Sequence, residues 1–194
     1  MADEALDNRK IKLDFQTQKL GQELQQIHDI LFVEKENSSK YAALLRQRNK
    51  YLFGKKDHLF FERDFKQLVD RFTINLGKTK FDIGPVQWGL LRDHGVKMFC
   101  SFGICYFATG IIRIAPKAFL LPDLTLRGVI FHEATHLDLQ TIDYLYDSAV
   151  WFSSLVTTGV KTVTTLKDIP DNEKYNNADN WRIFYQKCVK HLAN

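Results

Sequence analysis

No hydrophobic run in this chain is long enough to cross a bilayer. The apolar region Ala149 to Val160 stops at Lys161, short of the ~20 residues a spanning helix needs. No leader pattern opens the chain either, since Met1-Ala2-Asp3-Glu4 is acidic and runs into a charged stretch. Internal repeats and low-complexity tracts are absent, which argues against solenoid and fibrous architectures. A strong charge of one sign is also missing. The net charge is +4, and the basic residues of Arg9 to Lys12 and Arg46 to Lys56 are interspersed with acids and apolar positions. That pattern describes solvated helical faces, so no nucleic-acid partner is expected. Cysteine is scarce. Cys100 and Cys105 flank Ser-Phe-Gly-Ile, and either a turn at Gly103 joins them or they stay half-buried thiols, with Cys188 apart. The expectation is a soluble protein without a membrane span, cytoplasmic as made or exported by a leaderless route.

What the chain does have is core material. Its 194 residues are 45% hydrophobic, with 15 Phe, 7 Tyr and 3 Trp, enough for one ordinary domain plus an appendage. Residues 5–35 predict a helix with Leu20, Leu24, Ile27 and Leu31 on one side. It packs on the domain or pairs with a partner as a docking element. Glu36-Asn37-Ser38-Ser39 breaks the pattern before a second helix through about Lys50. Residues 1–40 are therefore read as an N-terminal helical extension and 41–194 as the domain. A third helix is predicted from Phe60 to Phe72, with Phe61, Phe65, Leu68, Val69 and Phe72 inward. Strands are expected at Lys97 to Phe102, Cys105 to Ala108 and Ile111 to Ala115, with Gly103-Ile104 in a turn. Helices return at 124–138, 143–158 and from Ala178 to Leu192, with a polar loop from Lys167 to Asn176. The fold class is α+β.

His132-Glu133-Ala134-Thr135-His136 is the stretch that specifies a chemistry. On a helix, two histidines four apart share a face about one turn from each other. Both imidazoles can then bind one Zn²⁺, with the intervening glutamate beside its coordinated water. Leu124, Leu126, Val129, Ile130 and Phe131 supply the apolar side of that helix, and Pro122-Asp123 a start signal. Catalytic zinc wants three protein ligands and one open position. The third is sought among Asp138, Asp143 and Asp147. Two residues past His136, Asp138 would point away on a continuing helix. Asp143 lies seven residues on, beyond a chain reversal, and is the expected ligand.

Around this motif a resemblance emerges. Thr141-Ile142-Asp143-Tyr144-Leu145-Tyr146-Asp147 resembles the G-T-x-D-x-x-Y-G segment that follows H-E-x-x-H in the aspzincin metallopeptidases, the deuterolysins and peptidyl-lysine metalloendopeptidases. Further resemblances come in the family's order across residues 41–185. Tyr51-Leu52-Phe53-Gly54 is similar to its W-F-G turn, Ile114-Ala115-Pro116-Lys117-Ala118-Phe119 to its L-C-P-x-F strand, and Asn177-Ala178-Asp179-Asn180-Trp181 to its N-A-D-x-Y segment. The resemblance implies a zincin-like fold, mainly helical, with a small sheet lining the cleft. Its edge strand, read here as Ile111 to Ala115, would pair with an extended substrate. It implies a zinc endopeptidase acting on a protein or peptide. His132, His136 and Asp143 would hold the metal, and Glu133 would take the water proton and pass it to the leaving amine. The Tyr146 hydroxyl would stabilise the oxyanion, a donor typically worth ~3 kcal/mol.

The chain departs from the family in several places. Gln140 stands where the family has Gly, and Asp147 replaces the Gly after the tyrosine, so two turns lose the residue that tolerates positive φ. Ala115 replaces a disulfide cysteine. Lysine-specific members bind the substrate lysine with the aspartate of N-A-D and a glutamate three residues later. Here Asp179 is kept but Arg182 takes the second place, and a cation there opposes lysine. A zinc peptidase made without a leader suits a delivered effector or toxin. The competing class is a non-catalytic or narrowly targeted interaction protein on the same scaffold.

Overall fold

The computed structural model describes residues 2–53, 59–85, 102–106, 108–142, 145–146, 162–163 and 169–193. It is an α+β arrangement, mostly helical, with a small mixed sheet. Helix α1 spans Ala2–His28. Leu13, Leu20, Leu24 and Ile27 recur at the spacing of one helical face and are all buried. At Gly21 the helix meets the chain so closely that a Cβ would lie 2.2 Å from the Phe72 carbonyl oxygen. Only glycine allows this approach. The helix does not stop cleanly but widens into a π-helical turn, Asp29–Glu34, which keeps Ile30 and Leu31 buried.

Helices α2 (Tyr41–Tyr51) and α3 (Leu59–Phe72) follow. The five residues of α3 expected inward, Phe61, Phe65, Leu68, Val69 and Phe72, are all buried. Phe61 and Phe65 stack on Trp181 at centroid distances of 5.7 and 6.5 Å. The indole of Trp181 is fully buried, and its Nε1–H donates to the Tyr175 carbonyl at 2.7 Å. An amphipathic ring inside a core needs such a partner.

Strands β1 (Lys80–Ile83), β2 (Gly103–Tyr106) and β3 (Ile111–Ile114) form one sheet in the order β1-β3-β2. β3 runs parallel to β1 and antiparallel to β2. This corrects two expectations. Gly103 and Ile104 belong to a strand rather than a turn, and Ile111–Ile114 is the central strand of the described sheet, not its edge. Ile112 and Ile114 are fully buried, and Arg113 reaches Asp82 on β1 at 2.6 Å. A further pair, β4 (Leu145–Tyr146) and β5 (Thr162–Val163), is parallel. At those two residues it replaces the helix expected over 143–158.

Helix α4 (Asp123–Leu139) runs through the centre, and every residue from Leu126 to His136 is buried. The short helix α5 (Asp171–Lys174) precedes α6 (Ala178–Leu192), whose start is capped by Asn177 accepting from the Asp179 amide at 3.3 Å. A buried network ties α1, α4 and α6 together. Arg127 donates to Glu23 at 2.9 Å, to Gln16 at 2.6 Å and to the Tyr185 hydroxyl at 3.1 Å. A buried ion pair tolerates desolvation only when its remaining hydrogen-bonding groups are also met. α1 thus shares one core with the helices that follow it. Among the described residues no helix is long and apolar enough to cross a membrane.

Candidate metal and catalytic site

His132 and His136 sit one turn apart on α4, with 3% and 7% of their surface exposed. Their rings meet nearly edge-on, and the two Nε2 atoms are 3.1 Å apart. The other nitrogens of the two rings differ in their contacts. His136 Nδ1 lies 2.7 Å from the Thr141 carbonyl oxygen, which can only accept, so that nitrogen carries the proton. His132 Nδ1 lies 3.3 Å from Asp179 Oδ1, within ion-pair distance but outside hydrogen-bond geometry. With its proton on Nδ1, His136 presents an Nε2 lone pair towards His132 Nε2. Where His132 takes the same tautomer, the two lone pairs repel unless a cation lies between them.

The donor set fits zinc. Tetrahedral coordination with Zn–N of ~2.0–2.1 Å sets two ligand nitrogens about 3.4 Å apart, close to the separation seen here. An imidazole held through Nδ1 by a backbone carbonyl, as that of His136 is, is a usual way for a protein to orient a histidine ligand.

The chain beyond α4 folds back on this pair. Gln140 adopts the left-handed conformation (φ 53°, ψ 34°), and its amide donates to the His136 carbonyl at 3.1 Å, closing the helix. This is the position where the resembled family has glycine, and the turn forms without it. Thr141 is then brought under His136. The Ile142 amide donates to the Asn176 carbonyl at 2.7 Å, and the Ala178 amide to the Ile142 carbonyl at 3.0 Å. The segment leading into residue 143 is therefore pinned to the start of α6.

Glu133 is buried and packs against β2. A Cβ built on Gly103 would lie 2.9 Å from both its Cγ and its Oε1. Sequence reasoning missed this contact, although an isolated glycine beside a strand pattern signals close approach. Asp138 points away from the histidines, as expected, and takes both arms of the Arg71 guanidinium. Asp143 and the side chain of Tyr146 lie outside the described residues; the described geometry brings His132 and His136 together, with Glu133 beside them on the same helix and turned to Gly103. Among the described residues, no trio of His, Cys, Asp and Glu side chains gathers into a metal cage.

Asp179 and Arg182 form an ion pair on α6, with Arg182 Nε donating to Asp179 Oδ1 at 2.7 Å. The same oxygen faces His132. Cys105 is buried on β2, and Cys100 lies outside the described residues. Set against known proteins, the chain matches no family model and no curated sequence.

Proposed function

We propose that this chain is a zinc-dependent endopeptidase on a zincin-like scaffold, with protein or peptide substrates. The observation that carries this reading is the pair of buried imidazoles whose Nε2 atoms converge to 3.1 Å, with His136 Nδ1 donating to the Thr141 carbonyl and His132 Nδ1 3.3 Å from Asp179. His132 and His136 would hold the metal with Asp143 as third ligand. Bound zinc acidifies water and polarises a carbonyl oxygen. Glu133, in a pocket walled by Gly103, accepts a proton from the attacking water and returns it to the leaving amine. Its burial removes competing solvent from that transfer. The Tyr146 hydroxyl is assigned to the oxyanion by the family resemblance. Among the described strands β2 has a neighbour on one side only, and it lies against Glu133, so an extended substrate would run along β2. The Asp179–Arg182 ion pair argues against a preference for lysine, because the acid's charge is already matched.

The test joins metal stoichiometry to activity. Purified protein should hold about one zinc per chain and cleave a denatured protein. Glu133→Gln should hold the same zinc and cleave nothing. A wild type that retains no zinc when supplied with it sinks the enzyme reading. Zinc retention with no cleavage of any denatured protein leaves a non-catalytic interaction protein.

A further inference from the structure

We infer that Asp179 is a positioning residue for the metal centre, acting through the His132 imidazole rather than on substrate. This rests on the zinc reading of the two histidines. Asp179 Oδ1 lies 3.3 Å from His132 Nδ1, the nitrogen facing away from His136. By its charge, a carboxylate at that distance favours the tautomer with the proton on Nδ1 and so leaves Nε2 as the donor to the metal.

The carboxylate itself is held. Arg182 Nε donates to the same oxygen at 2.7 Å, one helical turn further along α6. The Asp179 backbone is fixed by the Asn177 cap, and the strand-like bridge between Ile142 and Asn177 ties α6 to the segment that follows His136. One helix start thus orients His132 through a side chain and anchors, through backbone bonds, the residue next to Thr141, whose carbonyl orients His136. An acid in the first turn of a helix is favoured by the helix dipole alone. The dipole accounts for an acid at this position but not for its placement on a histidine of the motif.

Arg182 has a matching part. Its guanidinium restrains the carboxylate to the rotamer that meets His132, and it offsets charge that would otherwise attract a basic side chain into the site.

The experiment is a zinc titration against a fluorescent chelator on the full chain, alongside thermal unfolding of the metal-free protein. Asp179→Asn keeps the shape and an accepting oxygen but loses the charge, and should weaken zinc binding about 10-fold. Asp179→Ala should weaken it towards 100-fold, the upper range for such outer partners. If Asp179→Ala does not fold, Asp179→Asn decides alone. Wild-type zinc affinity in Asp179→Asn, with or without a lower melting temperature, assigns Asp179 to the helix start only and overturns the inference while the zinc reading stands. A wild type that binds no zinc overturns both.

Discussion

Gly103→Ala adds a single methyl group at the wall of the site, and its consequence can be worked from the structure. The new Cβ would lie 2.9 Å from Glu133 Cγ and Oε1 and 3.1 Å from Cδ. Non-bonded carbons rest ~3.5–4.0 Å apart, so one of the two partners must retreat by roughly 0.6 Å. Gly103 is fixed in the sheet by its pairing with Ile114, in extended backbone that alanine adopts without strain. The glutamate side chain is the part that gives. A misplacement of ~1 Å costs on the order of 100-fold in a positioned catalytic group, so roughly 0.6 Å should cost about 10-fold in kcat. That corresponds to ~1.4 kcal/mol of lost transition-state stabilisation.

The histidine nitrogens are not touched by this methyl group, and zinc affinity should match wild type. Overpacking of this kind also lowers stability by ~1–3 kcal/mol, read from urea unfolding of the metal-free protein. The assay is cleavage of a denatured protein at saturating substrate, with zinc affinity measured on the same preparation. Turnover at the wild-type rate in folded Gly103→Ala would refute the placement of Glu133 as the proton carrier against β2. A parallel loss of zinc would show instead that β2 shapes the metal site itself.

Where local pattern decides structure, the sequence was readable. α6 runs over Ala178–Leu192 and α3 buries the five expected residues, because helical periodicity and caps are properties of neighbouring residues. The same logic showed Asp138 turned away from the histidines, since helix geometry fixes the angle between positions two apart. Tertiary context decided the rest. Gly103 reads as a turn residue until the helix that presses on it is known. Leu145 and Tyr146 belong to a short apolar run whose period does not separate strand from helix. The site divides along the same line. His132, Glu133 and His136 are legible because one helix carries all three. The groups behind the histidines are not, since the Thr141 carbonyl is a backbone atom with no signature and the Asp179 carboxylate arrives on another helix. A missing glycine proved a weak signal, because Gln140 takes the left-handed turn anyway.

That turn makes its own prediction. A side chain in the left-handed region costs ~1–2 kcal/mol, and Gln140 is exposed, so glycine there loses no packing. After the added freedom of the unfolded chain is subtracted, Gln140→Gly should gain ~0.5–1 kcal/mol, seen as a melting temperature higher by a few degrees. A lower melting temperature would show the side chain to be contributing something the backbone angle hides. Alkaline pH should destabilise the fold. Burial, then the hydrogen bond its hydroxyl donates to Asp64, raises the Tyr175 pKa above the ordinary 10.0. Burial, then the charge of Glu23, does the same for Tyr185, and burial alone lifts the Cys188 thiol above 9.0. In the unfolded chain these groups ionise at their ordinary values, whereas the folded chain keeps their protons. Above about pH 9 the folded state therefore binds more protons than the unfolded one, and stability falls with pH by up to ~1.4 kcal/mol per unit for each group. Urea midpoints should hold below pH 9 and drop steeply beyond pH 10, less so in Tyr175→Phe, where one of the three protons no longer counts. Midpoints that stay level to pH 11 would mean that the tyrosine hydroxyls reach solvent and that the Asp64 and Glu23 contacts do not hold them.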